Sequence, residues 1–231
     1  MPVKKEKPVV ISLGGSVIVP DGGVDAKFLK KFTAVIEKHV RRGRRFVIIT
    51  GGGKLARRYQ STAEKISRLH SEDIDWLGIH ATRMNGHLLR TVFRDKAHPH
   101  LYWNPNKKLI WREPILIGAG WKPGASTDYI AALAAKKFKA KTIINLSNVD
   151  YVYDKDPKRY KSAKKIKKIS WKDFKNIVGS KWVPGANLPF DPVASRIAER
   201  NRFEVIVMNG HRLKEFEKAL NHQVFKGTII Q

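Results

Sequence analysis

The sequence is notable first for what it lacks. It has no cysteine among its 231 residues, which excludes disulfides, thiolate metal sites and cysteine nucleophiles. This composition makes the cytosol the expected compartment. No apolar run approaches the ~20 residues that a membrane-spanning helix needs, so we expect no membrane association.

Acidic residues are also scarce, since 20 Asp and Glu stand against 46 Lys and Arg, giving a net charge of +26. Such a balance suggests nucleic acid as a class of partner, because clustered basic side chains bind phosphate backbones. The basic residues are spread over regions such as 41–45, 136–141 and 158–168. No zinc, helix-turn-helix or aromatic-rich RNA-binding motif accompanies them. We therefore expect only non-specific nucleic-acid binding, and a nucleic-acid-binding regulator remains an alternative carried by net charge alone.

Several familiar catalytic patterns are missing as well. The chain contains no serine–histidine–acid set and no cluster of metal ligands, so no metal-ligating residue is predicted. The P-loop pattern G-x-x-x-x-G-K-[ST] is absent, and so is the dinucleotide pattern G-x-G-x-x-G, although Gly118-Ala119-Gly120 begins like it.

One stretch that is present, residues 46–58, organises the rest of the chain. It reads F-V-I-I-T-G-G-G-K-L-A-R-R, a continuous apolar run followed by three glycines and a basic helix. The apolar run is typical of a strand buried on both faces. Glycines let the backbone approach an anion closely, and a helix N-terminus offers N–H groups to it. The alternative is an ordinary tight turn followed by a solvated helix.

Strand and helix patterns alternate along the whole chain. Crossover connections between such strands require a mostly parallel sheet with helices on both faces. We therefore predict an α/β fold, a three-layer αβα sandwich, in a single domain of residues 1–231 whose two halves meet at a cleft. The predicted strands are 8–13, 46–49, 115–117, 141–146, 204–208 and 227–230; the predicted helices are about 24–42, 54–69, 76–97, 126–137, 171–178, 191–200 and 212–220, with a turn at 184–187.

Polar loops follow four of these strands, at the edge of the sheet where α/β proteins bind ligands. Two of them, Gly14-Gly15-Ser16 and residues 51–53, read as phosphate loops, which indicates two phosphorylated ligands facing each other. Phosphoryl transfer depends on positioning and charge neutralisation of this kind. Asp128 begins a helix near the same edge, where its alternative role is that of a capping-region acid. The loop with Asp150, Asp154 and Asp156 is either a nucleoside site or a solvated turn.

Six motifs in order resemble the amino-acid kinase superfamily, and within it the uridylate kinases of archaeal type. They are G-G-S, G-G-G-K-L-A-R-R-Y, D-W-L-G-I-H-A-T-R-M-N-G, P-G-A-S-T-D, S-N-V-D-Y-V-Y-D-K-D-P and F-D-P-V-A. The resemblance extends over residues 9–230. Six ordered motifs are far more specific than any single glycine loop.

The resemblance implies transfer of the γ-phosphoryl group of ATP, with Mg²⁺, to UMP to give UDP. It places UMP on the N-terminal half and ATP on the C-terminal half. It also implies a homo-oligomer, a hexamer in such kinases, with helix 76–90 at dimer contacts. By this resemblance, the ATP phosphates would be held by Gly14, Gly15 and Ser16, and its adenine and ribose by Asn148, Tyr153 and Asp156. The UMP phosphate would be held by Gly52, Gly53 and Arg57, and its ribose by Asp75 and Gly78. Thr127 would lie between acceptor and donor, and Asp128 would organise the basic groups around the reacting phosphates.

Two departures from the family pattern keep alternatives open. Many superfamily members have a lysine where this chain has Ser12, so the charge must come from elsewhere, with Lys54 and Lys155 as candidates. Tyr151 replaces a glycine of the nucleotide loop, which restricts φ there. A non-catalytic nucleotide-binding or storage homologue is therefore an alternative. So is another small-molecule kinase of the same fold, although the histidine typical of isopentenyl phosphate kinases is absent.

Overall fold

The computed structural model describes residues 7–157, 159–179 and 188–231. Within them, seven strands form one sheet in the order β3-β2-β1-β4-β8-β9-β7, and β5 and β6 form a separate antiparallel pair. The strands from β3 to β8 in this order are mutually parallel, whereas β9 runs antiparallel to β8. The strands are β1 Val9–Leu13, β2 Phe46–Thr50, β3 Ile115–Gly118, β4 Thr142–Ser147, β5 Val152–Tyr153, β6 Lys165–Ile166, β7 Lys168–Ile169, β8 Glu204–Asn209 and β9 Thr228–Ile230.

Helices connect the strands, and polar side chains fix where several of them begin. Asp25 and Asp191 accept backbone N–H bonds at the start of α2 and α7, and Ser126 does so at the start of α5. Each bond satisfies a donor that has no partner within its helix. The described helices are α1 Gly15–Ile18, α2 Ala26–Val40, α3 Gly53–Ile66, α4 Ser71–Phe93, α5 Thr127–Lys137, α6 Trp171–Val178, α7 Pro192–Arg200 and α8 Leu213–Leu220, with a 3₁₀ turn at Arg94–Lys96.

The central strands bury both faces, which makes two separate apolar layers among the described residues. On β2, Val47 and Ile49 join the layer formed with α5, α6 and α7. Phe46 and Ile48 join the layer formed with α2, α4 and α8. Alternate side chains of a strand point to opposite faces, so one apolar strand serves both layers. The predicted three-layer αβα sandwich is confirmed.

Several local predictions differ from the structure. The helices predicted at 54–69 and 76–97 end earlier, at Ile66 and Phe93, and the short strands β6 and β7 were not predicted. Helix α4 begins at Ser71 and not near residue 76, because Glu72 and Asp73 lie in its first turn, where acidic side chains favour the helix dipole. The segment after β1 forms the short helix α1, and the polar loop after β4 contains the strand β5. The turn predicted at residues 184–187 lies outside the described residues. Among the described helices, none is long and apolar enough to cross a membrane.

Candidate active site

A cavity of about 360 Å³ lies at the carboxyl ends of the adjacent strands β3, β2, β1 and β4. This edge is where ligands bind in α/β sheets. Most of the predicted site residues line it. They are Gly14, Gly15, Ser16, Gly52, Gly53, Arg57, Asp75, Gly78, Thr127 and Asp128. Asn148, Tyr153 and Asp156 are not among the described lining residues, so their predicted contact with the nucleotide stays a prediction.

The two glycine loops touch each other through their backbones. A Cβ atom built on Gly15 would lie 1.9 Å from the backbone nitrogen of Gly53, and one on Gly51 would lie 2.4 Å from the nitrogen of Gly15. Gly53 also has φ of +64°, a conformation that favours glycine. The loops therefore need glycine to approach each other, in addition to any approach by a phosphate. This contact brings the two predicted phosphate sites to one place.

Helix α4 holds the glycine loop after β2 and the segment after β3 through polar side chains that sequence reasoning did not assign. The buried amide of Asn85 donates from Nδ2 to the carbonyl oxygen of Gly51 at 2.7 Å. The Oγ1 atom of Thr82 accepts from the backbone nitrogen of Gly120 at 2.8 Å. Thr50 Oγ1 lies 2.9 Å from the carbonyl oxygen of Thr82. The signal available in the sequence was the presence of polar residues at buried positions of α4.

We expect Asn85→Ala to lower the free energy of unfolding by about 1–3 kcal/mol, because the carbonyl oxygen of Gly51 loses its buried donor. The glycine triplet should loosen, so the KM for the phosphate acceptor should rise. Denaturant unfolding and steady-state kinetics measure the two effects. Met84→Ala is the matched control, because Met84 is the residue next to Asn85 on α4 and its side chain is 64% exposed. An Asn85 variant that behaves like the control in both measurements would remove this bond from the account.

One wall of the cavity is formed by α3, α4 and the segment after β3. Asp75 Oδ2 accepts a hydrogen bond from the backbone nitrogen of Gly124 at 2.8 Å. Arg83 donates from Nη2 to the carbonyl oxygen of Trp121 at 2.9 Å. These bonds tie the segment after β3 to α4. Of the described lining residues, Arg57 and Lys122 are the basic ones.

Neither lysine proposed as a replacement for the missing family lysine lines this cavity. Lys54 Nζ lies 2.7 Å from the carboxylate of Asp21. Lys155 Nζ lies 5.5 Å from the centre of the Tyr160 ring. Lys122 does line the cavity, with Nζ 4.6 Å from the centre of the Trp121 ring. Its position after β3 was not read from the sequence, because only the glycines of that loop matched a known pattern.

Asp128 is held by two hydrogen bonds and is not the cap of its helix. Ser126 is the residue that caps α5, since its Oγ accepts from the backbone nitrogen of Tyr129 at 3.0 Å. Asp128 Oδ1 accepts from the Ser12 hydroxyl at 2.7 Å, and Oδ2 accepts from the backbone nitrogen of Asp191 at 3.3 Å. The pKa of Asp128 is raised to about 6. Burial is the main cause and the nearby charge of Asp191 adds to it, while the hydrogen bonds from Ser12 and from the Asp191 backbone act in the opposite direction.

The loop after β4 is anchored by Asp150. This carboxylate accepts from Nε and Nη2 of Arg212 at 2.8 and 2.6 Å and from Nδ2 of Asn209 at 2.8 Å. The bond from Arg212 lowers the pKa of Asp150. Tyr151 is not among the described non-glycine residues with positive φ. Its replacement of the family glycine therefore causes no backbone strain. The outer end of the loop carries Asp156, whose carboxylate lies 3.7 Å from Arg159 Nε.

The described side chains do not form a complete set of ligands for a metal ion. Across residues 7–157, 159–179 and 188–231, no group of three or more His, Cys, Asp or Glu side chains is placed to hold one. Magnesium prefers several oxygen ligands and retains waters, and it often binds through substrate phosphates. Among the described residues, a Mg²⁺ ion at this cavity would need ligands from bound phosphates in addition to any from the protein.

Comparisons with known proteins agree over nearly the full chain. The model of the amino acid kinase family matches residues 7–209. The chain is 35% identical over 225 residues to a uridylate kinase of Methanococcus aeolicus, covering 96% of this chain and 98% of that relative. The crystal structure of a uridylate kinase from Archaeoglobus fulgidus has a TM-score of 0.79 at 32% identity, covering 97% of this chain and 100% of that one. A UMP kinase from Ureaplasma parvum shares the fold, with a TM-score of 0.77 at 21% identity and coverage of 98% and 99%.

Proposed function

This chain belongs to the amino acid kinase family, and from that premise we propose that it transfers the γ-phosphoryl group of ATP to UMP. The products are UDP and ADP, and the reaction serves pyrimidine nucleotide biosynthesis. The observation that carries the proposal is full-length similarity at 32–35% identity to proteins named uridylate kinases. The contact between two glycine loops in one cavity supports it, because the reaction needs two phosphorylated substrates side by side.

We assign the acceptor to the wall formed by α3 and α4. Gly52, Gly53 and Arg57 hold the phosphate of UMP, where a guanidinium offers a charge-assisted, bidentate contact. Asp75 and Gly78 meet its ribose. On the donor side, Gly14, Gly15 and Ser16 hold the phosphates of ATP, and Asn148, Tyr153 and Asp156 hold its adenosine. The assignment follows the family motifs, and the common cavity supports it for the ten residues that line it.

The chemical step needs positioning more than covalent help. An oxygen of the UMP phosphate attacks the γ-phosphorus of ATP, and the bond from that phosphorus to the leaving oxygen of ADP breaks. The UMP phosphate is already ionised, so the attacking oxygen has no proton to lose. Thr127 lies between acceptor and donor, and Asp128 orients the basic groups that offset the negative charge. Mg²⁺ bound to the ATP phosphates supplies further charge neutralisation.

The proposal is tested by ATP-dependent phosphorylation of a panel of acceptors by the purified protein. We expect kcat/KM to be highest for UMP, and lower for CMP, AMP and isopentenyl phosphate. Preference for isopentenyl phosphate would point to another kinase of the same fold. Binding of UMP and ATP without any turnover would favour the non-catalytic alternative and contradict the proposal.

We expect Arg57→Ala to weaken UMP binding by about 1.5–3 kcal/mol, the usual range for a hydrogen bond to a charged group. The UMP KM should rise while the ATP KM changes little. Arg58→Ala is the control, because Arg58 is the next residue of α3 and is not among the described lining residues. An unchanged UMP KM in the Arg57 variant would remove this residue from the acceptor site.

We propose further that the chain works in the cytoplasm as a homo-oligomer, a hexamer by family resemblance, with residues 1–231 as a single domain. Light scattering coupled to size exclusion measures the mass of the assembly directly. The basic surface is assigned to composition, so its binding to nucleic acid should be independent of sequence. Such binding should also be lost steeply with rising salt, because it depends on counterion release.

A further inference from the structure

Ser12 occupies a position that the proposed site has not yet used. It lies on β1, two residues before Gly14, and its side chain is buried with 3% exposure. It also lines the cavity. Its hydroxyl donates to Asp128 Oδ1 at 2.7 Å, across 116 residues of sequence. The superfamily that the motifs resemble often has a lysine at this position, whereas this chain has a neutral donor.

We propose that Ser12 is a positioning residue for the transfer reaction, which acts through Asp128 by holding its carboxylate at the cavity wall. The inference rests on the proposed function. Ser12 itself need not touch a substrate. Its role is to fix which oxygen of Asp128 faces β1, while the backbone nitrogen of Asp191 fixes the other oxygen. The carboxylate is then oriented from two sides by groups on two different elements.

The surroundings of Asp128 explain why we expect the Ser12 hydroxyl to control the orientation of its carboxylate. The Asp128 carboxylate contacts Ser12 on β1, and at the start of α7 it contacts the backbone nitrogen of Asp191 and lies near that residue's negative charge. Neither described hydrogen-bond partner is a cation. The other charged side chains that line the same cavity, among the described residues, are Arg57, Asp75 and Lys122. Asp191 is itself fixed, since its Oδ1 accepts from the backbone nitrogen of Ala194 at 2.7 Å.

Loss of the hydroxyl should change the protonation of Asp128 in a definite direction. Burial and the charge of Asp191 disfavour the ionised carboxylate, whereas the hydrogen bonds from Ser12 and from the Asp191 backbone favour it. The pKa of Asp128 is about 6 with the hydroxyl present. Without it this pKa should rise, and a larger share of the protein should carry a neutral Asp128 near pH 7. A neutral acid cannot orient basic groups, so turnover should fall on the acidic side.

The test is the pH profile of kcat for the wild type, Ser12→Ala, Ser12→Cys and Ser12→Thr between about pH 5 and 9. The wild-type acidic limb should have its midpoint near the pKa of Asp128. It should move up by about one pH unit in the alanine variant, a shift that corresponds to the loss of one hydrogen bond. Cysteine, a weak donor, should move it in the same direction, and threonine should restore it. The KM values at pH 8 should change little. Thermal melts verify that each variant is folded.

A second readout does not depend on activity. Carbon-13 NMR titration of the aspartate carboxylates, with Asp128 identified by its absence in Asp128→Asn, should show the same upward shift in Ser12→Ala. An acidic limb and a carboxylate titration that both stay in place would overturn the inference. A wild type that does not phosphorylate UMP would instead contradict the proposed function, and the NMR titration would still decide whether Ser12 controls Asp128.

Discussion

Asp128→Asn is expected to lower kcat by about 10²–10³-fold, the range for loss of one preorganised electrostatic group, without lowering the melting temperature. In the proposed role of Asp128, the substitution removes the charge that orients the basic groups of the cavity. It keeps the shape of the side chain, and Ser126 still caps α5. Activity and stability should therefore separate in this variant, which they would not do for an acid that only supports the start of a helix.

The pKa of Asp128 also sets how the stability of the wild type, and therefore its difference from this variant, depends on pH. Its folded-state value of about 6 lies above the ordinary 3.8. The folded protein therefore binds the proton more tightly, and the wild type loses stability as pH rises through this window. Two pKa units correspond to about 3 kcal/mol. The asparagine amide can keep both contacts, since its oxygen can accept from the Asp191 N–H while its nitrogen donates to Ser12 Oγ.

Thermal melts and single-turnover rates at pH 5 and pH 8 test both parts of this prediction. The free energy of unfolding of the Asn variant, measured relative to that of the wild type, should be higher at pH 8 than at pH 5. Asp95→Asn is the control, because Asp95 lies exposed in the 3₁₀ turn Arg94–Lys96 and is not among the described residues that line the cavity. A stable, fully active Asp128 variant would end the catalytic assignment. A destabilised variant that kept its turnover would restore the role of a helix-start acid.

Gly15→Ala is expected to abolish the folded state or destabilise it by more than about 4 kcal/mol, a loss seen only for severe steric or electrostatic defects. The new Cβ would lie 1.9 Å from one backbone nitrogen and 2.6 Å from another, those of Gly53 and Gly52. Backbone atoms inside two packed loops cannot move aside as a flexible side chain can. The two glycine loops would have to separate, and both proposed phosphate sites would be lost together.

Denaturant unfolding followed by circular dichroism measures this effect. Gly22→Ala is the matched control, because no heavy atom lies within 4 Å of its added Cβ and its φ is not in the left-handed region. The control should keep wild-type stability within about 0.5 kcal/mol. A Gly15 variant with wild-type stability would show that the loops do not touch as described.

The features that the sequence predicted well are those fixed by local patterns. The apolar run of β2 has both faces buried, and Ser126 begins α5 as its residue type indicated. The alternation of strands and helices predicted a mostly parallel sheet, and in such a sheet the loops after β1, β2, β3 and β4 lie at one edge. The motif residues from the first three loops accordingly line one cavity.

The features that were missed depend on contacts between distant segments. Asn85 and Thr82 look like ordinary polar residues of a helix, and only the packing of α4 shows that they bind the loops after β2 and β3. The direct contact of Gly15 with Gly53 has no local signature either. Lysine side chains are hard to place from sequence because their long stems reach in several directions, as the ion pair of Lys54 with Asp21 illustrates.

The central claim is tested most directly by following the labelled γ-phosphoryl group of ATP in the presence of UMP. The account predicts that the label appears in the β-phosphate of UDP, one equivalent for each ADP formed, and that transfer is reduced at least about 10²-fold in Asp128→Asn. Release of the label as free phosphate, or its transfer to another acceptor in preference to UMP, would contradict the account.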